Sequence, residues 1–446
     1  MISTWYAIVS FMLIVYVALD GRNFGAGMLH WVVARRPEER WQVIAAIGPL
    51  WSWHEVWLVG FGGTLVAVFP RLLASAFAGY YLALFLILWC LILRGVSIEV
   101  GGHINDRQWQ GFWDFVFVVS NFLLAILFGA AAGNVVRGVP LDADGTFSMA
   151  FFTDFKPRGN VGLLDWYTVS MAVFTTVILA AHGATYLTLK TEGPVHDRSA
   201  KWAKFLWAGA VPLFVAASIE SWQVHPDLFR HAMHNPLCWL GWLILVGAIF
   251  GIASGMSTQR EMRAFVGSNV LLVGLLVTGA AALFPVILSS TLAPENSLTA
   301  YGVAAGRSSL LYASIWWPVG LALAISYFVF ITRRYVGKVS IRRGTQGEGP
   351  TTIPPMISPV TRTCPNFVAT HPKKRVTRMI TAVWVKRVMI AIGRIATPPT
   401  NLLRPQLRTG AQWYACAFAV SIFCRTISRA EVSQHVRRFL LAIDLL

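Results

Sequence analysis

The chain has 446 residues, of which 56% are hydrophobic and only 13% are charged, and its formal net charge is +17. Soluble globular domains carry about 25% charged residues, so this composition excludes a soluble enzyme and predicts an all-α protein that crosses a membrane several times. The 19 Trp and 11 Tyr suit aromatic belts at the membrane surfaces. We expect the positive charge to meet membrane lipids and not nucleic acid. The five cysteines lack metal-ligand spacing, so no disulfide framework or metal site is predicted.

Nine hydrophobic stretches predict nine transmembrane spans. They cover residues 4–20, 55–69, 73–94, 113–133, 162–187, 203–220, 237–256, 264–289 and 309–332. The first follows no basic region and precedes no cleavage signal, so we expect it to be retained as a span. Pro37, Glu38 and Glu39 predict the start of a further helix, because proline and acids are favoured in a first helical turn. If that helix continues, Pro49 interrupts it just before the second span.

Lys and Arg are unevenly distributed between the two ends of these spans. If successive spans alternate in direction, fifteen cations, among them Arg22 and Arg94, lie on one side and six lie on the other. The positive-inside rule predicts that the first side is cytoplasmic. The N-terminus is therefore expected outside the cytoplasm, and the ninth span is expected to end in the cytoplasm.

A polar, glycine-rich stretch closes the first predicted span. Asp20 begins it, and Gly21, Gly25 and Gly27 allow either a tight turn or a close approach of helices. No strand precedes these glycines, so they predict helix packing and not a dinucleotide-binding loop. Asp20 is interpreted as an interfacial anchor or as a buried hydrogen-bonding group.

A second polar stretch lies where the second span begins. Ionisable groups at this position are costly unless they face protein or water. A histidine beside a partly buried carboxylate can pass protons, so His54 and Glu55 are candidates for a proton path, and a polar cap with no proton transfer is the alternative. On a helical wheel one arc carries the polar face and the opposite side is aromatic: the arc holds Trp51, Ser52, His54 and Glu55, and the other side holds Trp53 and Trp57.

The other histidines offer no evident cofactor site. His182 lies late in the fifth span and His103 in a loop, and neither pairs with a histidine at similar depth. We interpret both as structural. No phosphate-binding loop, nucleophile elbow or zinc motif is present, so any enzymatic role is expected within a complex.

The last hundred residues differ from the rest of the chain. From Gln346 onward there are fourteen Lys and Arg against three acids, a surplus of +11 out of +17. We therefore divide the chain into a transmembrane domain, residues 1–340, and a basic tail, residues 341–446. The tail is interpreted either as a disordered extension attracted to anionic lipid or as a frame-shifted read-through.

Short motifs occur in order along residues 5–335. They are Asp20-Gly21 with Gly25 and Gly27, Gly48-Pro49 with Trp51, Glu55-Val56-Trp57-Leu58, Gly62-Gly63, Phe69-Pro70, Arg94, Trp109 with Trp113-Asp114, Gly133-Asn134, Gly138-Val139-Pro140, Gly183-Ala184-Thr185-Tyr186-Leu187, Phe284-Pro285 and Asn296-Ser297-Leu298-Thr299. By their order as well as their identity, these motifs resemble subunit II of the cytochrome bd quinol oxidases.

This resemblance implies a nine-helix subunit built as two four-helix bundles plus a peripheral helix. It implies a bacterial inner-membrane complex in which subunit I carries haem b, haem d and the quinol site. Subunit II would bind no haem, would support assembly and would help to bring cytoplasmic protons to the oxygen-reducing haem. A structural quinone in this chain and a small single-helix third subunit are left open by the resemblance.

The chain departs from the family pattern at one informative position. Family members commonly carry an aspartate, proposed at a proton entrance, where this chain has Ser52. Either Glu55, one turn later, takes over with His54, or protons enter only through subunit I. A membrane transporter and a purely structural lipid-binding subunit are the alternatives from other functional classes.

Overall fold

The computed structural model describes residues 1–104, 106–153, 155–156, 160–335 and 337–340. The predicted tail, residues 341–446, lies outside them. The described chain contains thirteen α-helices and two short strands. The helices are α1 (Ile2–Met28), α2 (His30–Val33), α3 (Pro37–Ile47), α4 (Trp51–Val68), α5 (Pro70–Gly79), α6 (Tyr81–Val100), α7 (Arg107–Arg137), α8 (Trp166–Lys190), α9 (Pro194–Val224), α10 (Pro226–His234), α11 (Pro236–Ser257), α12 (Glu261–Leu283) and α13 (Arg307–Arg334), and the strands are β1 (Val286–Leu288) and β2 (Leu298–Thr299).

Eight of the described helices are long and apolar enough to cross a membrane. Helices α4 and α5 would together make a ninth span, although they are bent by 118° at Phe69. The two strands pair antiparallel and form the described part's one small sheet. The prediction of an all-α polytopic membrane protein is therefore confirmed.

Several predicted span boundaries differ from the helix ends, and three of the differences have a clear physical reason. Helix α1 continues two turns beyond residue 20, because its polar residues are buried and hydrogen-bonded between helices and hydropathy alone underestimates such a segment. The predicted span 73–94 is divided at Tyr80, which is not helical. The predicted span 264–289 ends early because Phe284 is extended before Pro285, as expected for a residue that precedes proline.

The predicted helix start at Pro37 is confirmed by α3. The Glu39 carboxylate accepts hydrogen bonds from the backbone N–H groups of Arg35 at 2.7 Å and Arg36 at 3.1 Å, and it pairs with Arg198 of α9 at 2.7 Å. Burial alone would raise the pKa of Glu39, but these donors outweigh it and lower the pKa below its ordinary value. The helix ends at Ile47, so Pro49 lies in the turn before α4 and kinks no helix.

Helix α1 is the central element of the packing. It contacts α4, α7, α8 and α12, while α6 packs on α7, α8 on α9, and α11 on α12. Helix α13 contacts α4, and the most apolar window of α13 has no buried residue. The division into two four-helix bundles plus a peripheral helix stays a prediction.

The α1 glycines lie where helices approach closely and not in a turn. A Cβ on Gly25 would overlap the Leu179 carbonyl oxygen and the Gly183 backbone of α8, and one on Gly27 would overlap the Asn121 side chain of α7. A Cβ on Gly21 would lie 2.9 Å from the Leu179 side chain. Backbone atoms cannot move aside as flexible side-chain ends do, so the contact at Gly25 requires glycine.

Replacing Gly25 with alanine is therefore expected to destabilise the protein by about 1–3 kcal/mol or more, the usual cost of overpacking. The measurement is the amount of folded protein in membranes and its Tm in detergent. The matched control is Gly62→Ala in α4, where an added Cβ would meet no atom within 4 Å. Equal Tm values for the two variants would contradict the packing role of Gly25.

Candidate functional site

Three spanning helices meet at a buried ion-pair network. Asp20 of α1 is 0% exposed and accepts a hydrogen bond from Arg94 of α6, whose Nη1 lies 2.8 Å from Asp20 Oδ2. The other terminal nitrogen of Arg94 donates to Glu55 Oε1 of α4 at 2.5 Å. Arg94 is fully buried, whereas the Glu55 side chain is 27% exposed. One guanidinium therefore joins an enclosed carboxylate to one that reaches the surface.

The surroundings of Arg94 explain how a full charge is tolerated at this depth. Taking an isolated ion out of water costs several kcal/mol, so buried charges persist only when paired and hydrogen-bonded. Arg94 has two carboxylate partners, and its guanidinium also lies 4.7 Å from the ring centroid of Phe24. With one cation and two carboxylates the trio carries a net charge of about −1 when both acids are ionised, and Arg22 beside His54 offsets that charge.

His54 extends the network towards α1. Asn23 Nδ2 donates to Asp20 Oδ1 at 2.8 Å and also lies 2.8 Å from His54 Nδ1. On the other side of the ring, Arg22 Nη2 lies 2.9 Å from His54 Nε2. Both ring nitrogens therefore face N–H groups, yet a neutral imidazole can accept at only one nitrogen. A neutral His54 ring can therefore accept a hydrogen bond from either Arg22 or Asn23, but not from both. Which one it accepts depends on its tautomer, and the tautomer in turn depends on how the Asn23 amide is oriented.

Arg22 and His182 form the far edge of this region. The Arg22 guanidinium lies over the Tyr186 ring at 4.7 Å. His182 is 0% exposed, and its Nδ1 lies 2.8 Å from Ser268 Oγ while its Nε2 lies 3.3 Å from the Ala18 carbonyl oxygen. Both ring nitrogens have a partner, in agreement with the structural role predicted for His182.

The structure brings together three of the four predicted proton-path residues. Asp20, His54 and Glu55 belong to one network, but Ser52 is exposed and lies outside it. The predicted polar arc was wrong in a second respect, because Trp57 is buried on the same side as His54. Helix α4 packs on α1. The position of this interface, and not side-chain polarity, decides which α4 residues are buried.

Three members of the network were not predicted as site residues. Arg22 and Arg94 were counted among cytoplasmic loop cations, yet both are buried inside α1 and α6, and Asn23 was not singled out. The available signal was an arginine at the end of an apolar run, which requires an acidic partner. Among the predicted motif residues, Trp51 has a packing role. Its ring lies against Gly95 of α6, and its Nε1 donates a hydrogen bond to Glu99 Oε1 at 3.3 Å.

Cysteines and metal-binding clusters give no alternative site in the described part of the chain. Cys90 and Cys238 are free and buried, and the remaining cysteines lie outside the described residues. No group of three His, Cys, Asp or Glu side chains with metal-binding geometry occurs among the described residues. The exposed His103 lies in the turn between α6 and α7. The network around Arg94 is thus the candidate functional site.

The family model for "Cytochrome bd terminal oxidase subunit II" matches residues 1–334. The chain belongs to this family. The predicted resemblance is confirmed, and membership places the protein among the transmembrane subunits of respiratory quinol oxidases, which are oxidoreductases. The match ends before the basic tail.

The chain matches curated subunit 2 proteins over most of their length. The chain is 28% identical over 335 residues to cytochrome bd-I ubiquinol oxidase subunit 2 of Escherichia coli K12, which covers 69% of this chain and 86% of that protein. It is 27% identical over 339 residues to cytochrome bd ubiquinol oxidase subunit 2 of Bacillus subtilis, a match that covers 74% of this chain and 95% of that protein.

A solved structure shares the fold of this subunit II. It is a chain of the bd oxidase from Geobacillus thermodenitrificans, with a TM-score of 0.58, 15% sequence identity, and coverage of 75% of this chain and 98% of that chain. At this identity the likeness concerns the fold alone.

Proposed function

We propose that this subunit II binds no haem itself and acts with a haem-bearing subunit I that oxidises quinol and reduces O2 to water. Membership of the family supports the complex as a whole. The occupied ring nitrogens of His54 and His182 in spanning helices α4 and α8 support the division of labour. His30 has one unpaired ring nitrogen, but its ring is fully buried against Phe117. A haem iron would need a free imidazole nitrogen. In this proposal haem b and haem d, and the chemistry, belong to subunit I.

The proposed setting is a bacterial inner membrane, with the N-terminus in the periplasm and the end of α13 in the cytoplasm. Membrane lipids and subunit I would cover the exposed apolar helix faces, and a small single-helix subunit or a structural quinone could join them. Residues 341–446 are proposed to be dispensable, because the family match ends at residue 334.

The second part of the proposal is that the subunit conducts cytoplasmic protons. The observation that carries it is the Arg94 bridge between Glu55, which reaches the surface, and Asp20, which is enclosed. A proton taken up by Glu55 weakens its pairing with Arg94. Because a guanidinium stays protonated, the proton passes to Asp20 through water beside Arg94 and not through Arg94 itself. His54 lies 3.7 Å from Asp20 Oδ1 through its Nδ1, within reach of a rearranged hydrogen bond.

Affinity purification of a tagged chain tests the complex and the haem assignment. We expect the chain to purify from native membranes with a partner, haem absorption and quinol oxidation. The chain expressed without subunit I should be colourless. Haem absorption from the chain alone would contradict the proposed division, and a colourless native preparation that binds a solute would favour the transporter alternative.

A further inference from the structure

A second line of buried polar groups follows the face of α1 that meets α7. Asn23, Gly27 and His30 recur at intervals of four and three residues, so they share one side of the helix and its continuation into α2. Gly27 lies against Asn121 of α7, and the His30 ring lies edge-on to Phe117, with centroids 5.4 Å apart. We call the interface formed by Asn23, Gly27, His30, Asn121 and Asp114 the α1–α7 seam.

Several polar atoms of the seam are buried without a protein partner. Among the described residues, no group hydrogen-bonds to Asn23 Oδ1, His30 Nδ1 or Asn121 Oδ1. The three residues are at most 1% exposed. A buried polar atom left unpaired costs roughly 1–3 kcal/mol, and such atoms are usually satisfied by ordered water. Three of them along one interface favour water molecules at this place.

The outer end of the seam reaches the protein surface through an ion pair. His30 Nε2 lies 3.0 Å from Asp114 Oδ1, and Arg40 Nη1 donates to Asp114 Oδ2 at 3.0 Å. The Asp114 side chain is 19% exposed and that of Arg40 is 35% exposed. Because the carboxylate accepts, His30 Nε2 carries the ring proton, and the buried Nδ1 is left as an unpaired acceptor.

The inner end of the seam is the Asp20 side of the ion-pair network. The amide nitrogen of Asn23 lies within hydrogen-bonding distance of Asp20 and His54, while its amide oxygen has no partner among the described residues. Seven residues separate Asn23 from His30, about 10 Å at 1.5 Å per helical residue. Asn121 lies between them, so about three hydrogen-bonded waters are enough to close the distance.

We propose that the α1–α7 seam holds ordered water and is a second proton entrance, from Asp114 through His30 to Asp20. The Nε2–H tautomer is the state after one transfer, in which Nε2 has gained a proton from the Asp114 side and Nδ1 has released one to the water chain. Before the next transfer the ring returns to the Nδ1–H tautomer by exchanging its proton through water. This route is separate from the Glu55 side of the network. The inference rests on the proposed proton conduction, because it assigns a further path to the same buried acid.

The first test is a high-resolution electron cryomicroscopy map of the intact oxidase complex. We expect water density within hydrogen-bonding distance of His30 Nδ1 and Asn121 Oδ1. A seam without water at a resolution that shows water elsewhere in the protein interior would overturn the proposal.

The second test is quinol oxidase turnover of the complex carrying His30→Gln. Glutamine can keep the hydrogen bonds to Asp114 and to water, but its amide does not relay protons as imidazole does. Because the Glu55 route stays open, we expect turnover at saturating quinol to fall about twofold in His30→Gln. The double variant with Glu55→Gln should fall by about a hundredfold, the lower range for loss of a proton-transfer group. The KM for quinol, the haem content and the Tm should stay unchanged, which a merely structural role for His30 would not produce. His103→Gln, at an exposed loop histidine, is the matched control and should keep full turnover.

Comparison with Glu55→Gln separates the two proposals. Slow turnover in Glu55→Gln together with normal turnover in His30→Gln would overturn the seam and leave the conduction proposal standing. Normal turnover in both variants would overturn conduction by this subunit and the seam with it. Water in the seam combined with normal His30→Gln turnover would show structural water only and would also overturn the entrance.

Discussion

Replacement of Arg94 with leucine is expected to prevent stable assembly of the subunit. The change removes the one cation that pairs with both Asp20 and Glu55, and Asp20 has no access to solvent. Breaking a buried ion pair by removing one partner costs about 3–5 kcal/mol, which is a large share of the stability of an ordinary domain. The measurement is the haem absorption of the assembled oxidase per unit of membrane protein, together with its Tm.

Two further variants identify the cause of this loss. Arg71→Leu removes an arginine from an exposed position in α5 and should assemble normally. The double variant Arg94→Leu with Asp20→Asn should recover part of the assembly, because the unpaired buried charge is gone. Normal assembly of Arg94→Leu alone would show that the ion-pair network contributes little to the fold.

Replacement of Glu55 with glutamine is expected to slow quinol oxidase turnover while the complex still assembles. Glutamine can still accept a hydrogen bond from Arg94, but it cannot take up and release a proton near neutral pH. Proton-transfer groups contribute about a hundredfold or more to turnover, but a parallel route through the α1–α7 seam would reduce the observed loss to about twofold. The measurement is oxygen consumption per haem at saturating quinol.

Changes at Ser52 provide the matched control for Glu55. Ser52 lies one turn before Glu55 but is exposed and outside the network, so Ser52→Ala should keep nearly full turnover. Ser52→Asp should be tolerated for the same reason. If Glu55→Gln and Ser52→Ala both run at the wild-type rate, proton conduction through this cluster is refuted and an assembly role remains.

The sequence predicted the apolar helices well and the polar residues poorly. Helix α13 starts two residues before its predicted span and ends two residues after it, because continuous apolar character is read directly from hydropathy. The first span was placed too short, because Asp20 and Arg22 lower the hydropathy of a segment that is buried by its neighbours. The α4–α5 bend was missed since Pro70 marks a break in a helix but not its angle.

The sequence was likewise sufficient to choose some residues of the candidate site but not their partners. Asp20, His54 and Glu55 could be chosen from the sequence because ionisable residues near apolar spans are costly without a partner. Their partners could not be chosen, since Asp20 and Arg94 are 74 positions apart and meet only in the folded protein. The helical wheel placed Ser52 inside and Trp57 outside because it contains no information on which neighbour packs where.

The sequence by itself determined that this protein is an all-α membrane protein of the cytochrome bd oxidase subunit II family. Both conclusions depend on local properties, the apolar content of each span and the order of short motifs. The tertiary structure decided which charges are enclosed, that Arg94 joins Asp20 to Glu55, and that unpaired polar atoms of His30 and Asn121 lie along one interface. These features arise from contacts between helices distant in the chain, where burial makes each unpaired polar group costly, and local sequence does not encode those contacts.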